Sequence, residues 1–552
     1  MSDTRGARNG GRILVDALRN HGVDRLFCVP GESYLDVLDA LYDTPQIAVV
    51  VAKHEGAAAN MAEADGKLTG RPGICFVTRG PGATHASVGV HTAYHDSTPM
   101  ILFVGQVQRD VRGREAFQEV EFRQMFAPLA KWVAEIDSVD RIPEYVLRAF
   151  QVATSGRPGP VVLALPEDVL AEESTACDTQ PYHATRTAPS DAELAAVRSE
   201  LQNASKPLLV VGGSSWSETG CAALASFAEA NALPVLASFR RQDLFDNRHP
   251  CYAGHLSLGL PPFLQQRVKA ADLIIALGSR LGDVTTMTYS VLAPPRITAR
   301  LVHIHPDANE LGRVYQPDIP IVASPSRAAE RFAEIAAVDS SRWREWTEAA
   351  RREYENFVGA PTKGPIQGVD LTVVIRHLAA HLPANATIAN GAGNFTVWVH
   401  RFFTYKAPHT ELAPTSGSMG YGFPAAIAAA LRHPDRTTVC VAGDGDFLMY
   451  PQELATAAQY GARVLVLIVN NGMYGTIRMH QERRFPGRIS ATQLATPDFV
   501  GLARSFGAYA ERVDTTDAFA PALERALAAD GSAVLELRVD PNQITPDRRI
   551  GS

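Results

Sequence analysis

Stretches of apolar residues alternate with amphipathic segments along almost the whole chain. An early example is the apolar run Ile47–Val51, which is followed by the alanine-rich segment Glu55–Gly66 and by a second apolar run, Gly73–Thr78. Alternation of strand-like and helix-like segments is typical of α/β proteins with parallel sheets. The run Val464–Asn470 contains no charged residue and predicts a strand that is buried on both faces. The pattern therefore predicts an α/β fold built from parallel sheets.

Two breaks in this pattern divide the chain into three units. Residues 172–190 are polar and have no apolar periodicity, and residues 359–368 are rich in glycine and proline. Both segments are typical of linkers. We therefore predict three parallel-sheet α/β domains, at residues 1–172, 190–355 and 368–552. The chain has no short-period repeat, but the shared pattern makes the first and third units candidates for distant structural relatives.

The composition excludes several classes of protein. The 552 residues are 46% hydrophobic and 20% charged, which are ordinary values for globular domains and exclude disordered, collagen-like and coiled-coil chains. The net charge of −7 provides no basic surface for nucleic acid or for an anionic membrane. No apolar run approaches the roughly 18 residues of a membrane span.

The cysteines and the N-terminal segment indicate the cellular compartment of the protein. The six cysteines form no CxxC pair, and several of them lie in apolar runs, so we expect buried free thiols in a reducing compartment. The first residues lack the apolar core of a signal peptide. We expect a cytoplasmic protein with no nucleic-acid partner and no membrane partner.

The most informative segment is residues 437–475. A short apolar strand ends in a Gly-Asp-Gly turn around Asp444, a predicted helix follows, and the next strand ends in Asn-Asn-Gly around Asn471. Neighbouring parallel strands place their carboxyl ends at one sheet edge, where open α/β sheets bind ligands. Asp444 and Asn471 offer the hard oxygen atoms that Mg²⁺ prefers, and glycine lets the backbone approach a phosphate. Each motif alone is equally well explained as an ordinary turn, but together they predict a metal–phosphate site.

Glu55 is the second candidate for chemistry. It follows an apolar strand and opens a helix of small residues. A carboxylate at a helix N-terminus is stabilised by the helix dipole, and this explains an isolated glutamate without any function. A partly buried glutamate can instead have a raised pKa and hold or share a proton, as a proton-transfer role requires.

Both features resemble the pattern of the thiamine diphosphate-dependent 2-oxo acid decarboxylase and acetolactate synthase family. The resemblance extends from about residue 10 to about residue 540. It implies a pyrimidine-binding first domain, a Rossmann-like central domain and a diphosphate-binding third domain. It also implies that Asp444, Asn471 and the backbone carbonyl of Met473 bind Mg²⁺, and that Glu55 contacts the N1′ atom of the aminopyrimidine. A carboxylate that shares a proton with N1′ favours the imino form of the cofactor.

Further motifs extend the resemblance. Residues 416–424 resemble the family's GTMGFGLP segment, so Met419 takes the position of the methionine that bends the cofactor. Residues 391–395 resemble the diphosphate loop, although Asn394 and Phe395 replace its usual glutamine and histidine. The cofactor-binding residues that the resemblance implies are Gly80, Gly393, Asn394, Gly417, Met419, Gly443, Asp444, Gly445, Asp446, Asn471, Met473 and Tyr474.

The segment 113–119 indicates which reaction follows decarboxylation. It resembles the acetolactate synthase segment GTDAFQE, in which phenylalanine and glutamine line the reaction pocket. The resemblance implies catalytic roles for Phe117 and Gln118, and for Lys131, which lies near the family's matching lysine. The chain has no paired histidines of the kind that simple decarboxylases use, and lone histidines such as His85 are more often structural. We therefore predict carboligation, in which a 2-oxo acid is decarboxylated and then added to a second carbonyl compound.

Departures from the family pattern leave alternatives open. His480 stands where acetolactate synthases have a tryptophan that selects the larger acceptor. A 2-oxo acid decarboxylase or a carbon–carbon lyase on the same scaffold is therefore one alternative. A cofactor-binding regulatory subunit without activity is another, although the presence of Glu55, Asp444 and Asn471 disfavours it.

The expected partners follow from the same resemblance. The cofactors are thiamine diphosphate and Mg²⁺, and FAD is possible but not favoured because the central unit lacks a GxGxxG motif. The substrate is a 2-oxo acid or a related small carbonyl compound. The family binds its cofactor between two subunits, so we expect a homodimer or a homotetramer.

Overall fold

The computed structural model describes residues 6–364 and 366–550. It contains three six-stranded sheets, one in each predicted unit, and the strands within each sheet run parallel. Helices flank the sheets, as parallel sheets require. The predicted α/β fold with three parallel-sheet domains is therefore confirmed.

The first sheet is built from short strands that are largely buried. Its strands are β1 (Arg25–Cys28), β2 (Ala48–Val51), β3 (Gly73–Val77), β4 (Met100–Gln106), β5 (Trp132–Glu135) and β6 (Pro160–Pro166). They pair in the order β2-β1-β3-β4-β6-β5. Every residue of β3, β4 and β6 is buried, which explains their continuous apolar sequences.

The central sheet has a different strand order. Its strands are β7 (Pro207–Val211), β8 (Val235–Ala237), β9 (Tyr252–His255), β10 (Leu273–Leu277), β11 (Arg300–His305) and β12 (Ile319–Val322). They pair in the order β9-β8-β7-β10-β11-β12, which is the Rossmann order with its switch point between β7 and β10.

The third sheet repeats the topology of the first. Its strands are β13 (Thr387–Asn390), β14 (Glu411–Leu412), β15 (Thr438–Gly443), β16 (Val464–Asn470), β17 (Tyr509–Val513) and β18 (Ala533–Arg538). They pair in the order β14-β13-β15-β16-β18-β17, which matches the first sheet position for position. The first and third domains, whose sequence patterns made them candidates for structural relatives, thus share one topology.

The helices are distributed over the three domains. Those of the first domain are α1 (Gly10–Asn20), α2 (Leu35–Tyr42), α3 (Glu55–Thr69), α4 (Gly80–Asp96), α5 (Phe122–Phe126), α6 (Ile142–Thr154) and α7 (Glu167–Ala171). Those of the central domain are α8 (Asp191–Asn203), α9 (Glu218–Ala230), α10 (Pro262–Ala270), α11 (Pro325–Phe332) and α12 (Arg344–Gly359). Those of the third domain are α13 (Leu371–His381), α14 (Thr396–Phe402), α15 (Gly422–Arg432), α16 (Asp444–Phe447), α17 (Leu454–Tyr460), α18 (Gly475–Arg484), α19 (Phe499–Ser505) and α20 (Phe519–Ala528). Over residues 6–364 and 366–550, no helix is both long enough and apolar enough to cross a membrane.

The first and third domains share one hydrophobic core. The alanines of α3 and those of α15 belong to the same buried cluster, so the two helices pack directly on each other. Alanine side chains allow this close approach, because little volume separates the helix backbones. The packing fixes Glu55, the first residue of α3, against the third domain.

A buried polar network reinforces the same interface. The Lys67 ammonium contacts Asp96 and lies 3.3 Å from a carboxylate oxygen of Glu63. Glu63 accepts a hydrogen bond of 2.5 Å from the Tyr421 hydroxyl, and Asp96 accepts one of 2.7 Å from the Thr415 backbone N–H. Because each charge has several partners, the network resists separation of the two domains.

Candidate active site

The two turn motifs of the third domain meet at one edge of its sheet. Asp444 follows β15, is 2% exposed, and accepts hydrogen bonds from the backbone N–H groups of Gly445 at 3.0 Å and Gly472 at 2.9 Å. Asn471 follows β16, and its side-chain oxygen accepts a hydrogen bond of 3.1 Å from the Met473 N–H. Burial raises the pKa of Asp444 to about 6. The Gly472 bond ties the ends of the two strands together.

This edge presents oxygen ligands of the kind that Mg²⁺ binds. The donors are a carboxylate on Asp444, an amide oxygen on Asn471 and the backbone carbonyl of Met473, and all three residues line the same cavity. Mg²⁺ takes a few protein oxygens and completes its octahedron with phosphate and water. The chemistry of the donor set therefore fits this ion.

Glycines and a helix start surround the same edge. A Cβ atom on Gly445 would lie 2.7 Å from the Tyr474 ring, so only glycine fits there. Gly417 has a φ of +69°, in the region that favours glycine. The side-chain oxygen of Asn394 accepts a hydrogen bond of 2.9 Å from the Thr476 hydroxyl, which joins the diphosphate-type loop to α18. The free N–H groups at the start of α18 suit an anion such as a diphosphate.

Asp446 holds two loops in place. One of its oxygens accepts hydrogen bonds from the N–H groups of Gly420 at 2.8 Å and Ala392 at 3.2 Å. The side chain is buried, and burial raises its pKa to about 7. Asp446 thus joins the loop that carries Met419 to the loop at residues 391–395.

All the predicted site residues of the third domain line one cavity of about 1520 Å³. They are Gly393, Asn394, Gly417, Met419, Gly443, Asp444, Gly445, Asp446, Asn471, Met473 and Tyr474. His480 also lines it, together with residues of the central domain such as His255 and Leu258. Within the described parts of the chain, none of the predicted residues of the first domain lines this cavity. Those residues are Glu55, Gly80, Phe117, Gln118 and Lys131.

Glu55 has a specific set of neighbours. The preceding residue, His54, caps α3 by accepting a hydrogen bond of 3.0 Å from the Gly56 N–H at its Nδ1 atom. The Glu55 carboxylate forms a hydrogen bond of 2.9 Å with Nδ1 of His85. The rings of His54 and His85 stack with their centres 4.6 Å apart, and Tyr450 of the third domain lies 5.2 Å from His54. His85, which looks isolated in the sequence, is therefore paired with Glu55, and no signal in the residues around it predicts this pair.

The loop at residues 113–119 presents Phe117 to the outside. The Glu119 carboxylate accepts hydrogen bonds from the N–H groups of Gly113 at 2.7 Å and Ala116 at 3.1 Å. The Gly113 bond, with a smaller contribution from Ala116, lowers the pKa of Glu119. Gln118 has a φ of +65°, and the Phe117 side chain is 74% exposed. A well-defined loop therefore holds an apolar ring away from its own chain.

Gly80 and Arg79 lie behind this loop. A Cβ atom on Gly80 would lie 2.9 Å from the backbone oxygen of Gln118, so glycine allows the two segments to touch. The buried Arg79 pairs with Glu32 at 2.8 Å and with Glu167, and its Nε atom lies 3.5 Å from the side-chain oxygen of Gln118. Arg79 thus connects the rim of the loop to two carboxylates.

The Lys131 ammonium, which was predicted to be catalytic, is hydrogen-bonded to backbone carbonyls of its own chain. Its ammonium donates hydrogen bonds to the backbone carbonyls of Val152 at 2.5 Å and Ser155 at 2.7 Å, at the end of α6. A lysine in this position satisfies carbonyl groups that the helix leaves free. Burial lowers its pKa to about 8. Its hydrogen bonds do not reach Glu55 or Gln118, because the end of α6 holds the side chain.

Two glycines lie close together at the switch point of the central sheet. A Cβ atom on Gly213 would lie 2.2 Å from the carbonyl oxygen of Gly278, so glycine is required for this close approach. Trp216, which is 5% exposed, donates a hydrogen bond of 2.8 Å to the Gly212 carbonyl. Arg280 points to the first domain, where it donates to the His95 carbonyl at 2.9 Å.

Three family models match the chain, one for each domain. The model described as "Thiamine pyrophosphate enzyme, N-terminal TPP binding domain" matches residues 8–125. The corresponding central-domain model matches residues 194–332, and the C-terminal TPP binding domain model matches residues 391–537. The matched segments contain Glu55 and Phe117 in the first domain and Asp444 and Asn471 in the third.

Similarity to individual proteins extends over nearly the whole chain. The acetolactate synthase large subunit of Parasynechococcus marenigrum (strain WH8102) is 33% identical over 96% of this chain and 87% of its own length. The probable acetolactate synthase large subunit of Methanocaldococcus jannaschii is 32% identical over 97% of this chain and 93% of its own length. Acetolactate synthase isozyme 2 large subunit of Escherichia coli (strain K12) is 29% identical, with 96% of each chain covered.

Proposed function

Because this chain belongs to the thiamine pyrophosphate enzyme family, we propose that it is a thiamine diphosphate-dependent carboligase of the acetolactate synthase type. A 2-oxo acid loses CO₂, and the remaining acyl unit forms a carbon–carbon bond with the carbonyl carbon of a second molecule. The observation that carries the proposal is the set of oxygen ligands at Asp444, Asn471 and Met473, in a chain that is similar over nearly its whole length to acetolactate synthase large subunits.

The third domain supplies the cofactor site in this proposal. Asp444, Asn471 and the Met473 carbonyl would hold Mg²⁺, and the start of α18 would face the diphosphate. Met419 lines the same cavity, at the position of the residue that bends the cofactor. Thiamine diphosphate, when bound, supplies the electron sink for the decarboxylation.

The first domain supplies the proton chemistry and the pocket wall. Glu55 would contact N1′ of the cofactor and share its proton, and its side chain is 14% exposed beside His85. Phe117 would exclude water from the reacting carbonyl carbon, so that addition to a second carbonyl compound competes with protonation. Gln118, which lies beside Arg79, would orient the substrate.

We propose a homodimer as the smallest active unit, with a homotetramer as a pair of such dimers. The support is that Glu55, Phe117 and Gln118 lie outside the cavity of their own chain, and that the Phe117 ring projects from the surface. A second copy related by a two-fold axis could bring its first-domain residues to this cavity and receive the same in return. The cytoplasm is the proposed compartment, because five of the six unpaired cysteines are buried thiols.

FAD is not a favoured cofactor in this proposal, because the central domain lacks the GxGxxG motif of dinucleotide-binding loops. Flavin absorption in the visible spectrum of the purified protein, at one flavin per chain, would contradict this part of the proposal.

The test is a panel of 2-oxo acids with thiamine diphosphate and Mg²⁺, with the products identified by mass spectrometry. If pyruvate is accepted alone, the expected product is a 2-hydroxy-2-methyl-3-oxo acid. Free aldehyde as the sole product across the panel would favour the decarboxylase alternative. Cofactor binding without turnover of any substrate would favour the regulatory subunit.

A further inference from the structure

We propose that His85 is a positioning residue that holds one carboxylate oxygen of Glu55 and leaves the other oxygen for the cofactor. This inference rests on the proposed function, because it assigns a partner to the glutamate that would act at N1′. It concerns a residue in the second turn of α4, which is not among the predicted site residues.

The geometry comes from two helix starts that face each other. Glu55 is the first residue of α3, and His85 lies in the second turn of α4. Oε2 of Glu55 is 2.9 Å from Nδ1 of His85. Oε1 points to Gly82, where a Cβ atom would lie 3.5 Å away. Oε1 has no hydrogen bond within the described residues, and it faces a position that carries no side chain.

The hydrogen bond fixes the tautomer of His85. A carboxylate has no proton to donate, so Nδ1 of the imidazole carries the hydrogen and Nε2 faces outward. Protonation of His85 at Nε2 would add a positive charge to the ring, and the Nδ1–H group would still donate its hydrogen bond to Glu55. The bond therefore persists in both charge states of His85, as a permanent support requires.

A second histidine holds His85 in this orientation. The His54 ring stacks on it at 4.6 Å, and the His54 ring is itself fixed because its Nδ1 accepts the Gly56 N–H. The three side chains His54, Glu55 and His85 are close enough to hold a metal ion. The capping bond argues against that use, because it places the proton of a neutral His54 on Nε2 and leaves no free lone pair on the ring.

The first experiment examines the pair without cofactor. Histidine ¹⁵N NMR of the apoprotein should show His85 as the Nδ1–H tautomer, and His85→Asn identifies its signals by their loss. Glu55→Ala should shift His85 towards the Nε2–H tautomer, which neutral imidazole side chains prefer when they have no partner. An Nε2–H tautomer of His85 in the unmodified protein would overturn the inference, whatever the function of the chain.

The second experiment measures exchange of the C2 proton of bound thiamine diphosphate, together with cofactor affinity by calorimetry. His85→Leu should slow the exchange about tenfold, because a hydrogen bond to a charged group is lost, while the affinity changes less than about twofold. His85→Asn should restore the exchange, because its amide nitrogen is the same number of bonds from the backbone as Nδ1.

The control is a double-mutant cycle with Glu55→Gln. If His85 acts through Glu55, His85→Leu should have no further effect on exchange in the Glu55→Gln background. Additive effects, or wild-type exchange in His85→Leu, would overturn the inference and leave the proposed function standing. Absence of cofactor binding by the unmodified protein would instead overturn the proposed function, and the tautomer measurement would still decide the pairing.

Discussion

The first and third domains share a strand order but use the same sheet edge in opposite ways. In the third domain, Asp444 is 2% exposed and lines a deep cavity with its neighbours. In the first domain, Phe117 is 74% exposed and lies outside that cavity. Common topology places ligand-binding residues after the strands in both domains. The difference is that the third domain gathers its predicted site residues in one cavity, whereas the predicted residues of the first domain lie outside that cavity, as the proposed homodimer requires.

The largest expected effect comes from removing a predicted metal ligand of the third domain. We expect Asp444→Ala to weaken Mg²⁺-dependent binding of thiamine diphosphate by at least about 100-fold, because a charged ligand of the ion is lost. The chain should remain folded, which circular dichroism can verify. Calorimetry measures the affinity, with Asp530→Ala as the control, since Asp530 is an exposed aspartate of the same domain. Equal affinities in the two variants would contradict the assignment.

The second test asks whether the two halves come from different chains. We expect Glu55→Gln and Asp444→Ala homodimers each to be inactive, and their mixture to regain about a quarter of the wild-type activity after subunit exchange. A mixed dimer has one site with both lesions and one with neither, and random exchange makes half of the dimers mixed. Mass spectrometry of the intact dimers verifies the exchange. Verified mixed dimers without activity would show that both groups act within one chain.

The third-domain site could be predicted from the sequence because its information is local. Glycine turns, an aspartate and an asparagine stand at the ends of two apolar strands, and the strand order brings these ends together. The fold class followed in the same way from the alternation of apolar and amphipathic segments. Such features depend on a few neighbouring residues, which a single sequence displays directly.

The remaining contacts depend on packing between distant segments. The pairing of His85 with Glu55 exists because α3 and α4 lie side by side, and nothing in the residues around His85 states this. Lys131 matched a family lysine by position, but the location of the α6 end directs its ammonium to the Val152 carbonyl. The contact between Arg79 and Gln118 could not be predicted from the residues around either position, because it depends on the path of the loop at residues 113–119.

A substitution in the first domain tests the role of the exposed Phe117 ring. We expect Phe117→Ala to raise the KM for the second carbonyl compound about tenfold, through loss of an apolar contact, and to leave the cofactor affinity unchanged. Tyr42→Ala is a matched control, because Tyr42 is an aromatic residue of the same domain with 88% exposure. An equal change in KM in both variants would refute a pocket role.

The smallest expected effect concerns the edge strands of the two related sheets. Glu411 on β14 is buried against the central domain, where its carboxylate accepts a hydrogen bond of 2.6 Å from the Gln242 N–H, whereas β2 carries no charged residue. Burial, and then the nearby Asp243, raise the pKa of Glu411 to about 8. The folded chain therefore keeps a proton here that the unfolded chain releases above a pH of about 4.5.

This stabilising contribution is fully present below the unfolded pKa and is lost as the pH rises through about 8. We expect Glu411→Gln, which cannot ionise, to flatten the fall of the unfolding temperature between about pH 5 and about pH 9, by at least about 2 °C at the alkaline end. Differential scanning calorimetry across this range measures the effect. Parallel curves for the two proteins would contradict the assignment.

The segment that leads to Met419 begins at a meeting point of all three domains. Arg240 of the central domain donates hydrogen bonds to the carbonyls of Pro414 and, at 3.0 Å, of Gly391, and Asp96 of the first domain accepts the Thr415 N–H. An isolated third domain would keep Asp444 but would lose both anchors. We therefore expect cofactor binding to require the assembled chain rather than the third domain alone, even though the third domain carries Asp444, Asn471 and Met473.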